Sequence, residues 1–441
     1  MTNKKGLFGL AIPLLLNSIL GLMTTFIDAM IISHHAETTA AAVSLANQIL
    51  VPAYDFSFML AVGATIFITH ALGDKKVDDA RSVAVLAILA NTVVGALLGL
   101  LLYLAAPILI TLVNVPEELV SSTRTYINIV AIALPFNGFM MAAVATLRGF
   151  SLTRQIFYFG LIAFPSYIIL DYILVLGWWF VPSLGVEGSA LATLLVRVGS
   201  VIFLLILLPK LTKLKWSQLS LTIKSIKKTI SLFKISSPSV LDNVAYGFYQ
   251  LVLLSFIAGM GIVGILARFY TLSLSAFLAV IVMAISQANE VLVGYQHGAK
   301  SYSQLSTRVW SSVLVSVSLA TLMAVVMYLM SNPLVSLFTD DPNVHTQAKY
   351  LLLLTIFIQP LTGLNTVLFH SLRVIGDVVK PVIFSQIVMW GVAIPVAWSL
   401  IHFASLGVEA IWYAMIVEEL LKTIYIVYRW RMQSRRLMMA N

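Results

Sequence analysis

Long apolar runs alternate with short polar segments along almost the whole chain. A helix needs about 20 apolar residues to cross a hydrocarbon core of roughly 30 Å. Twelve runs reach that length. They lie near residues 8–33, 42–70, 82–111, 123–147, 156–180, 186–208, 230–257, 262–296, 309–331, 346–371, 381–403 and 407–428. The pattern predicts an all-α integral membrane protein with twelve transmembrane helices, numbered 1 to 12 in this order.

The second six runs repeat the first six at a spacing of 225 residues. The repeated positions are Pro13 and Pro238, Gly73 and Gly298, Pro135 and Pro360, Gly138 and Gly363, and Arg148 and Arg373. After a slip of three residues, residues 184–187 recur as 406–409. Six helices per half make the repeats parallel, and duplicated bundles of this kind are typical of secondary transporters. We predict two six-helix lobes over residues 1–209 and 235–441, joined by a linker over residues 210–234.

Composition and charge place this bundle in a membrane. Hydrophobic residues make up 60% of the chain and charged residues 10%, far from the balance of a soluble globular protein. Of the 27 lysines and arginines, 22 lie at the N-terminus, in every second loop or at the C-terminus. This positive-inside bias predicts that both termini are cytoplasmic in an inner (plasma) membrane. The net charge of +9 is thereby explained without a nucleic-acid partner.

The linker is the longest polar stretch of the chain. Its lysines alternate with apolar residues such as Trp216, Leu219 and Ile223. This alternation favours an amphipathic helix that lies on anionic membrane lipids.

Several types of site are absent or only mimicked. The chain has no cysteine, which excludes disulfides, thiolate metal sites and cysteine nucleophiles. His34 and His35 are adjacent and have no third ligand near them in sequence, so we predict no metal site and no cofactor. Residues 259–264 match the GxGxxG pattern without a strand and helix around them, and we expect a tight outer turn. No nucleophile and base are visible together, so we predict a protein that is not an enzyme.

Ionisable side chains inside a bilayer are costly and mark functional sites by default. At 1.5 Å per residue, Asp28 in helix 1 and Asp171 in helix 5 are expected about 10 Å and about 13 Å below the outer surface. Desolvation and like-charge repulsion in a shared cavity favour the protonated form of at least one carboxyl group. A proton-coupled carrier needs this property. The repeat mates are Leu253 and Val396, so one lobe carries the pair. The alternative is a purely structural role, in which nearby hydroxyls and amides satisfy both acids.

Other polar residues in the spans give less specific signals. Asp55 lies near mid-depth in helix 2. Asp242 in helix 7 is the repeat mate of Asn17 in helix 1, and such polar pairs can simply hold helices together. Glu290, near the inner end of helix 8, would form a cytoplasmic gate or an ion pair. For Glu418 and Glu419 in helix 12 we favour a packing role, with Lys422 as the partner of Glu418.

Two features of helices 1 and 3 concern the backbone. Pro13 lacks an amide hydrogen and its ring clashes with the preceding turn, so helix 1 has a place to bend, 15 residues before Asp28. A static kink is the alternative. Gly95 and Gly99 form a GxxxG pair in helix 3, which predicts that another helix approaches closely.

These residues together resemble the multidrug and toxic compound extrusion (MATE) family. The resemblance rests on the duplicated six-helix halves and on the following motifs: Pro13 and Asp28, Leu147-Arg148-Gly149, Asp171, and Leu184-Gly185-Val186-Glu187-Gly188. It implies a twelve-helix antiporter that expels small organic, often cationic, compounds in exchange for protons or sodium ions.

Within that family, the chain is most similar to the prokaryotic branch related to DNA-damage-inducible protein F. The resemblance assigns proton coupling to Asp28 with Asp171, and bending of helix 1 to Pro13. The polar network that we expect in the cavity consists of Tyr126, Tyr167, Ser189 and Asn17. Tyr167 replaces an asparagine that is common in the family, which leaves the details of cation coordination open.

The coupling ion and the transport mode have alternatives. Another branch of the family uses acids in helices 7 and 10 as a sodium site. Helix 10 carries no acid here, which favours protons over sodium ions. A flippase for a lipid-linked sugar would need a strongly cationic cavity, whereas Arg197 and Arg268 are the few cations within the spans. A passive channel is a further alternative. We expect a monomer.

Overall fold

The computed structural model describes residues 6–216, 223–258 and 261–439. Helices account for nearly all of them, apart from loops and one isolated bridge between Trp178 and Val181. The helices of the first half are α1 (Leu7–His35), α2 (Glu37–Gly73), α3 (Val77–Leu112), α4 (Glu117–Gly149), α5 (Thr153–Leu176) and α6 (Val186–Thr212). The helices of the second half are α7 (Ile223–Ala258), α8 (Ile262–Gly298), α9 (Tyr302–Leu329), α10 (Ser331–Val335), α11 (Pro342–Val374), α12 (Val379–Val388), α13 (Ile394–Phe403) and α14 (Glu409–Met439).

The helices form two compact units. Unit 1 contains Ile12–Ser237, and unit 2 contains Pro238–Asn441 together with Lys4–Ala11. The unit boundary in α1 therefore lies next to Pro13, and the boundary in α7 lies at its repeat mate Pro238. Both helices continue through their prolines. Because a proline interrupts the backbone hydrogen bonds of a helix, each helix changes unit where its backbone is least constrained.

The predicted all-α membrane architecture is confirmed. Among the described residues, eleven helical segments are long and apolar enough to cross a membrane. Predicted helix 10 is α11, and predicted helix 11 consists of α12, a π-helical turn over Met389–Ala393 and α13. Predicted helix 12 is α14, which has 31 residues. Its acids and Lys422 make it less apolar than the other eleven.

In unit 1, α3 and α4 cross with their backbones in close contact. A Cβ atom on Gly95 would lie 2.4 Å from the Leu134 carbonyl oxygen, and one on Gly99 would lie 2.3 Å from that of Ala131. From the other side, a Cβ atom on Gly138 would lie 2.2 Å from the Asn91 carbonyl oxygen. Only glycine fits at such distances. The close helix approach predicted from Gly95 and Gly99 is confirmed, with α4 as the partner.

A buried amide reinforces this crossing, and unit 2 has a related contact. The Asn91 Nδ2 donates hydrogen bonds to the carbonyl oxygens of Ser57, at 2.7 Å, and Gly138, at 3.0 Å. The repeat mate of Asn91 is Ser316, whose hydroxyl donates to the carbonyl oxygen of Gly363 at 3.3 Å. Asn91 of α3 therefore forms hydrogen bonds to both α2 and α4 in unit 1, whereas Ser316 of α9 forms one to α11 in unit 2.

The helix α5 ends four residues earlier than the apolar run predicts. The apolar run continues to Phe180, but α5 ends at Leu176 because Gly177 has a φ of +80°. Residues Trp178 to Val181 then form a tight reversal. The positive φ of one glycine sets the end of the helix. The hydrophobic pattern does not show this end, because apolar residues continue beyond Gly177. Asp171 consequently lies five residues, about 8 Å, from the end of its helix.

Candidate functional site

Two acids and a tyrosine of α1 and α5 form a polar cluster in unit 1. Tyr167 and Asp171 are four residues apart and therefore lie on the same face of α5. The Tyr167 hydroxyl donates a hydrogen bond to Asp28 Oδ1 at 2.8 Å. The Asp171 carboxyl group is a direct neighbour of the Asp28 carboxyl group. Asp171 is completely buried, with 0% of its surface exposed.

The acid pair has no cationic partner in the described part of the chain, and the buried Asp171 has no well-formed hydrogen bond there. Neither Asp171 oxygen accepts a hydrogen bond of good geometry from a described residue. No lysine, arginine or histidine in the described residues forms an ion pair with Asp28 or Asp171. Two adjacent, desolvated carboxylates repel each other, and an unpaired buried charge is very unfavourable. The pair is therefore suited to hold a proton or to bind a cation.

Hydroxyl groups of α4 and α6 surround the acid pair. The buried Tyr126 of α4 interacts electrostatically with both Asp28 and Asp171. Ser189 of α6 lies beside Asp171, and Thr193, one turn further on, lies beside Tyr167. The structure therefore brings together Tyr126, Tyr167 and Ser189, and it adds Thr193, which we did not predict. The spacing of four residues between Ser189 and Thr193 is the sequence signal that could have identified it.

The polar face of α6 continues to a cation. Arg197 follows Thr193 by four residues, and its guanidinium Cζ lies 5.1 Å from the centroid of the Tyr54 ring. Tyr54 in turn interacts electrostatically with Tyr126. Hydroxyl and aromatic groups thus extend from the acid pair towards Arg197. The sequence pattern alone marks Arg197 only as one of few cations within the spans.

Three other predicted residues of unit 1 lie apart from the acid pair. Asn17 is 11 residues, about 16 Å, from Asp28 along α1, and its Oδ1 lies against Gly160 of α5. Asp55 forms no hydrogen bond or ion pair with a described residue. Pro13 lies within α1 next to the unit boundary. The structure therefore shows no contact between Asn17 and the predicted polar network.

The acids of unit 2 have protein partners. Asp242 Oδ1 accepts a hydrogen bond from Gln386 Nε2 at 2.7 Å. Glu419 Oε2 accepts one from Asn365 Nδ2, also at 2.7 Å. Glu418 forms an ion pair with Lys422, as predicted, and accepts a hydrogen bond from Tyr249. Asp242 and Glu419 therefore differ from Asp28 and Asp171 in having amide donors.

Glu290 forms an ion pair in unit 2, one of the two roles predicted for it. Its Oε2 lies 3.0 Å from Arg373 Nη2 and 3.2 Å from His370 Nδ1. Glu290 and Arg373 are the repeat mates of Thr65 and Arg148, where Arg148 Nε donates to the Thr65 hydroxyl at 3.3 Å. The two units thus use the same arginine position with different acceptors.

Two sequence motifs remain, the histidine pair and the GxGxxG run. His35 Nδ1 lies 2.8 Å from the Thr39 hydroxyl. The described residues contain no group of three or more His, Cys, Asp or Glu that could hold a metal ion. In the GxGxxG run, residues 259–260 lie outside the described residues, and α8 begins at Ile262.

Comparison with known proteins identifies a family of membrane transporters. A family model described as MatE matches residues 13–173 and 238–399, two segments that begin 225 residues apart. The uncharacterized transporter YisQ of Bacillus subtilis (strain 168) is 27% identical over 426 residues, which cover 96% of this chain and 93% of the relative. The probable multidrug resistance protein NorM of Thermotoga maritima is 23% identical over 425 residues, which cover 94% of this chain and 89% of that protein.

Solved structures share the same fold. One is described as the outward-facing conformation of a multidrug resistance MATE family transporter of the MOP superfamily. It matches with a TM-score of 0.88 and 18% sequence identity, and the match covers 98% of this chain and 96% of that one. At this identity the similarity establishes the architecture of the chain.

Proposed function

Because the chain belongs to the MatE family of membrane transporters, we propose that it exports small organic, often cationic, compounds in exchange for protons. The observation that carries the proposal is the neighbouring pair of Asp28, which is partly exposed, and Asp171, which is buried. Neither acid has a cationic partner among the described residues. We further propose that it acts as a monomer in the inner membrane with both termini in the cytoplasm. The relatives named as multidrug resistance proteins support this substrate class.

The acid pair would carry the exchange by holding either a proton or a cationic substrate. When Asp28 is ionised, its charge and that of Asp171 attract a cation. Protonation from the outside removes this charge and releases the substrate. An inward proton contributes about 2.3 kcal/mol per 100 mV of membrane potential and about 1.4 kcal/mol per pH unit. In exchange for a monovalent cation no net charge crosses the membrane, so one proton supports about tenfold uphill export per pH unit. For a neutral compound the membrane potential adds to this driving force.

Bending of α1 would couple protonation to alternating access between the predicted lobes, residues 1–209 and 235–441. Pro13 interrupts the hydrogen bonds of α1, and the unit boundary lies beside it. Asp28 lies on the same helix, on the unit 1 side of that boundary. A change of charge at Asp28 therefore acts on the helix whose first turns belong to the other unit.

Protons are favoured over sodium ions by the environment of the acids in unit 2. Asp242 and Glu419 already accept hydrogen bonds from side-chain amides, and Glu418 is paired with Lys422. These acids are therefore less available as ligands for a metal cation, which weighs against a sodium site in unit 2. The described residues of α11, which is predicted helix 10, contain no acid.

The test is counter-transport in proteoliposomes with an imposed inward proton or sodium gradient, followed with the fluorescent cation ethidium. We expect proton-driven ethidium movement in the wild type and its loss in Asp28→Asn. Asp340→Asn, which removes the same charge from an exposed loop, is the control and should retain movement. Movement driven only by sodium would contradict proton coupling. Movement that needs no gradient would indicate a channel, and the absence of ethidium movement would favour the flippase.

A further inference from the structure

The C-terminal end of α14 carries an exposed face that is both basic and apolar. Ile424, Tyr428, Arg431 and Arg435 are spaced by four, three and four residues and therefore lie on one side of the helix. All four side chains are exposed. A groove of about 810 Å³ runs along them, and Arg436 also lines it. We call these five residues the basic face of α14.

The opposite side of α14 packs into unit 2. Ile426 and Trp430 are buried there. Two further side chains of this end bind the Asp377 carboxylate. The Nε and Nη2 atoms of Arg429 donate hydrogen bonds to it at 2.6 and 3.0 Å, and Gln433 Nε2 donates one at 2.7 Å. These contacts fix the rotation of α14 and leave the basic face on its outer side.

The arginines of the basic face have no acidic partner in the described part of the chain. Arg431, Arg435 and Arg436 form no ion pair or side-chain hydrogen bond with a described residue. The Arg431 guanidinium Cζ lies 5.9 Å from the centroid of the Trp310 ring of α9, and such a contact stabilises the cation without neutralising it. Residues 420–439 contain no acid. The basic face therefore has an uncompensated positive charge.

The length of α14 places the basic face at the level of the lipid headgroups. The helix has 31 residues and is therefore about 46 Å long, whereas the hydrocarbon core is roughly 30 Å thick and takes about 20 residues. Counted from the acid Glu409, which begins the helix outside the hydrocarbon, about 20 residues end just after Tyr428. Ile424 is then among the acyl chains, and Tyr428 is at the interface, where tyrosine is enriched. Arg431 and Arg435 are level with the phosphates.

The basic face is specific to the second half of the chain. The helices α6 and α14 correspond at the offset that relates position 184 to position 406, so the repeat mate of Arg431 is Pro209. The helix α6 ends at Thr212, which corresponds to Ser434, whereas α14 continues to Met439. The duplicated architecture alone therefore accounts neither for Arg431 nor for the last turn of α14.

We propose that the basic face binds one anionic phospholipid of the inner leaflet. The phosphate is held between the guanidinium groups of Arg431 and Arg435, which donate paired N–H groups to its oxygens. One acyl chain lies along Tyr428 and Ile424. An anionic lipid is favoured over a zwitterionic one because this part of α14 contains no acid that could bind a choline or ethanolamine group. The leaflet follows from the proposed orientation, and the rest of the proposal is independent of the acid pair and of antiport.

The test is native mass spectrometry of the purified full-length protein in detergent, titrated with dioleoyl phosphatidylglycerol or dioleoyl phosphatidylcholine. The two lipids have the same acyl chains and differ in headgroup charge. We expect the wild type to bind the first phosphatidylglycerol at least about tenfold more tightly than the first phosphatidylcholine. In Arg431→Gln/Arg435→Gln this preference should fall below about twofold. The matched control Lys75→Gln/Arg154→Gln, which removes two exposed cations of unit 1, should keep the preference.

Further measurements separate a lipid site from general attraction and from a folding defect. Arg431→Lys/Arg435→Lys keeps both charges and loses the paired donors, so it should lose part of the preference. Glycerol 1-phosphate carries the phosphate without acyl chains, and it should not displace bound phosphatidylglycerol at equal concentration. Because the arginines are exposed, both double variants should unfold in detergent within about 2 °C of the wild type when no lipid is added.

Several results would overturn the lipid site. They are equal affinity of the wild type for the two lipids, an unchanged preference in the glutamine variant, and an equal loss in the control. Full retention of the preference by the lysine variant would indicate attraction to surface charge alone, and displacement by glycerol 1-phosphate would indicate a site for free phosphate. Either result would also contradict the proposal. The assay uses no gradient, so failure of proton-driven ethidium transport would leave a headgroup preference intact.

Discussion

The glycine contacts between α3 and α4 predict a large effect of a single methyl group. In Gly138→Ala, the new Cβ atom would lie 2.2 Å from the Asn91 carbonyl oxygen, so the helices must separate by about 1 Å to reach a normal contact. Overpacking of this kind costs about 1–3 kcal/mol. Separation also weakens the bond from Asn91 to the Gly138 carbonyl oxygen, a loss of about 0.5–1.5 kcal/mol. We expect a total destabilisation of about 2–4 kcal/mol.

Gly199→Ala is a matched control in the same unit. Gly199 lies inside α6, and a Cβ atom there meets nothing within 4 Å, so alanine should leave stability unchanged or raise it through helix propensity. Both variants are followed by thermal unfolding in detergent, with tryptophan fluorescence as the signal and one scan rate. At roughly 2–4 °C per kcal/mol, Gly138→Ala should unfold at least about 4 °C below Gly199→Ala. Midpoints within about 1 °C of each other would refute the close crossing.

Three further predictions concern buried polar contacts. Glu290→Gln leaves the buried Arg373 without its carboxylate and should destabilise the protein by about 3–5 kcal/mol, as measured by the same unfolding assay. The control Glu117→Gln, at an exposed position, should change stability little. Equal unfolding midpoints for the two variants would contradict the buried ion pair. Thr355→Val removes the hydroxyl that accepts a hydrogen bond from the Trp412 indole N–H at 2.9 Å. The variant should lose about 1–3 kcal/mol of unfolding free energy and show a shifted tryptophan emission. An unchanged unfolding midpoint would show that the indole finds another acceptor. Tyr167→Phe removes the hydrogen bond to Asp28, and a hydrogen bond to a charged group contributes about 1.5–3 kcal/mol. The variant should therefore slow proton-driven ethidium exchange about tenfold or more, whereas the control Tyr158→Phe, on the exposed side of α5, should leave the exchange rate unchanged. Equal rates in the two variants would argue against a role for the bond between Tyr167 and Asp28.

The sequence was most informative where membrane physics limits the choices. Apolar run lengths predicted the all-α membrane architecture, because a bilayer allows few alternatives to a helix. The rule that ionisable residues are rare inside membranes selected Asp28 and Asp171, and their carboxyl groups are neighbours in the structure. Their role in proton coupling stays a prediction. The contact between Tyr167 and Asp28 could not be derived from spacing, because the two residues lie 139 positions apart.

Helix rotation and local backbone geometry were harder to predict. The partner of Glu290 was not identified, although Arg373 was marked by the repeat, since hydropathy does not show which faces of α8 and α11 meet. The π-helical turn over Met389–Ala393 has no signature in the hydrophobic pattern. Arg197 was treated as an isolated cation because the pattern of Ser189, Thr193 and Arg197 becomes meaningful only when the neighbours of α6 are known.

The position of the unit boundaries has a consequence for the covalent connection between the halves. The chain passes between the units inside two helices, at Pro13 and Pro238. The start of α1, Leu7–Ala11, belongs to unit 2, and the start of α7, Ile223–Ser237, belongs to unit 1. Two fragments divided after residue 213 should therefore complement each other when they are co-expressed, because each completes the bundle of the other.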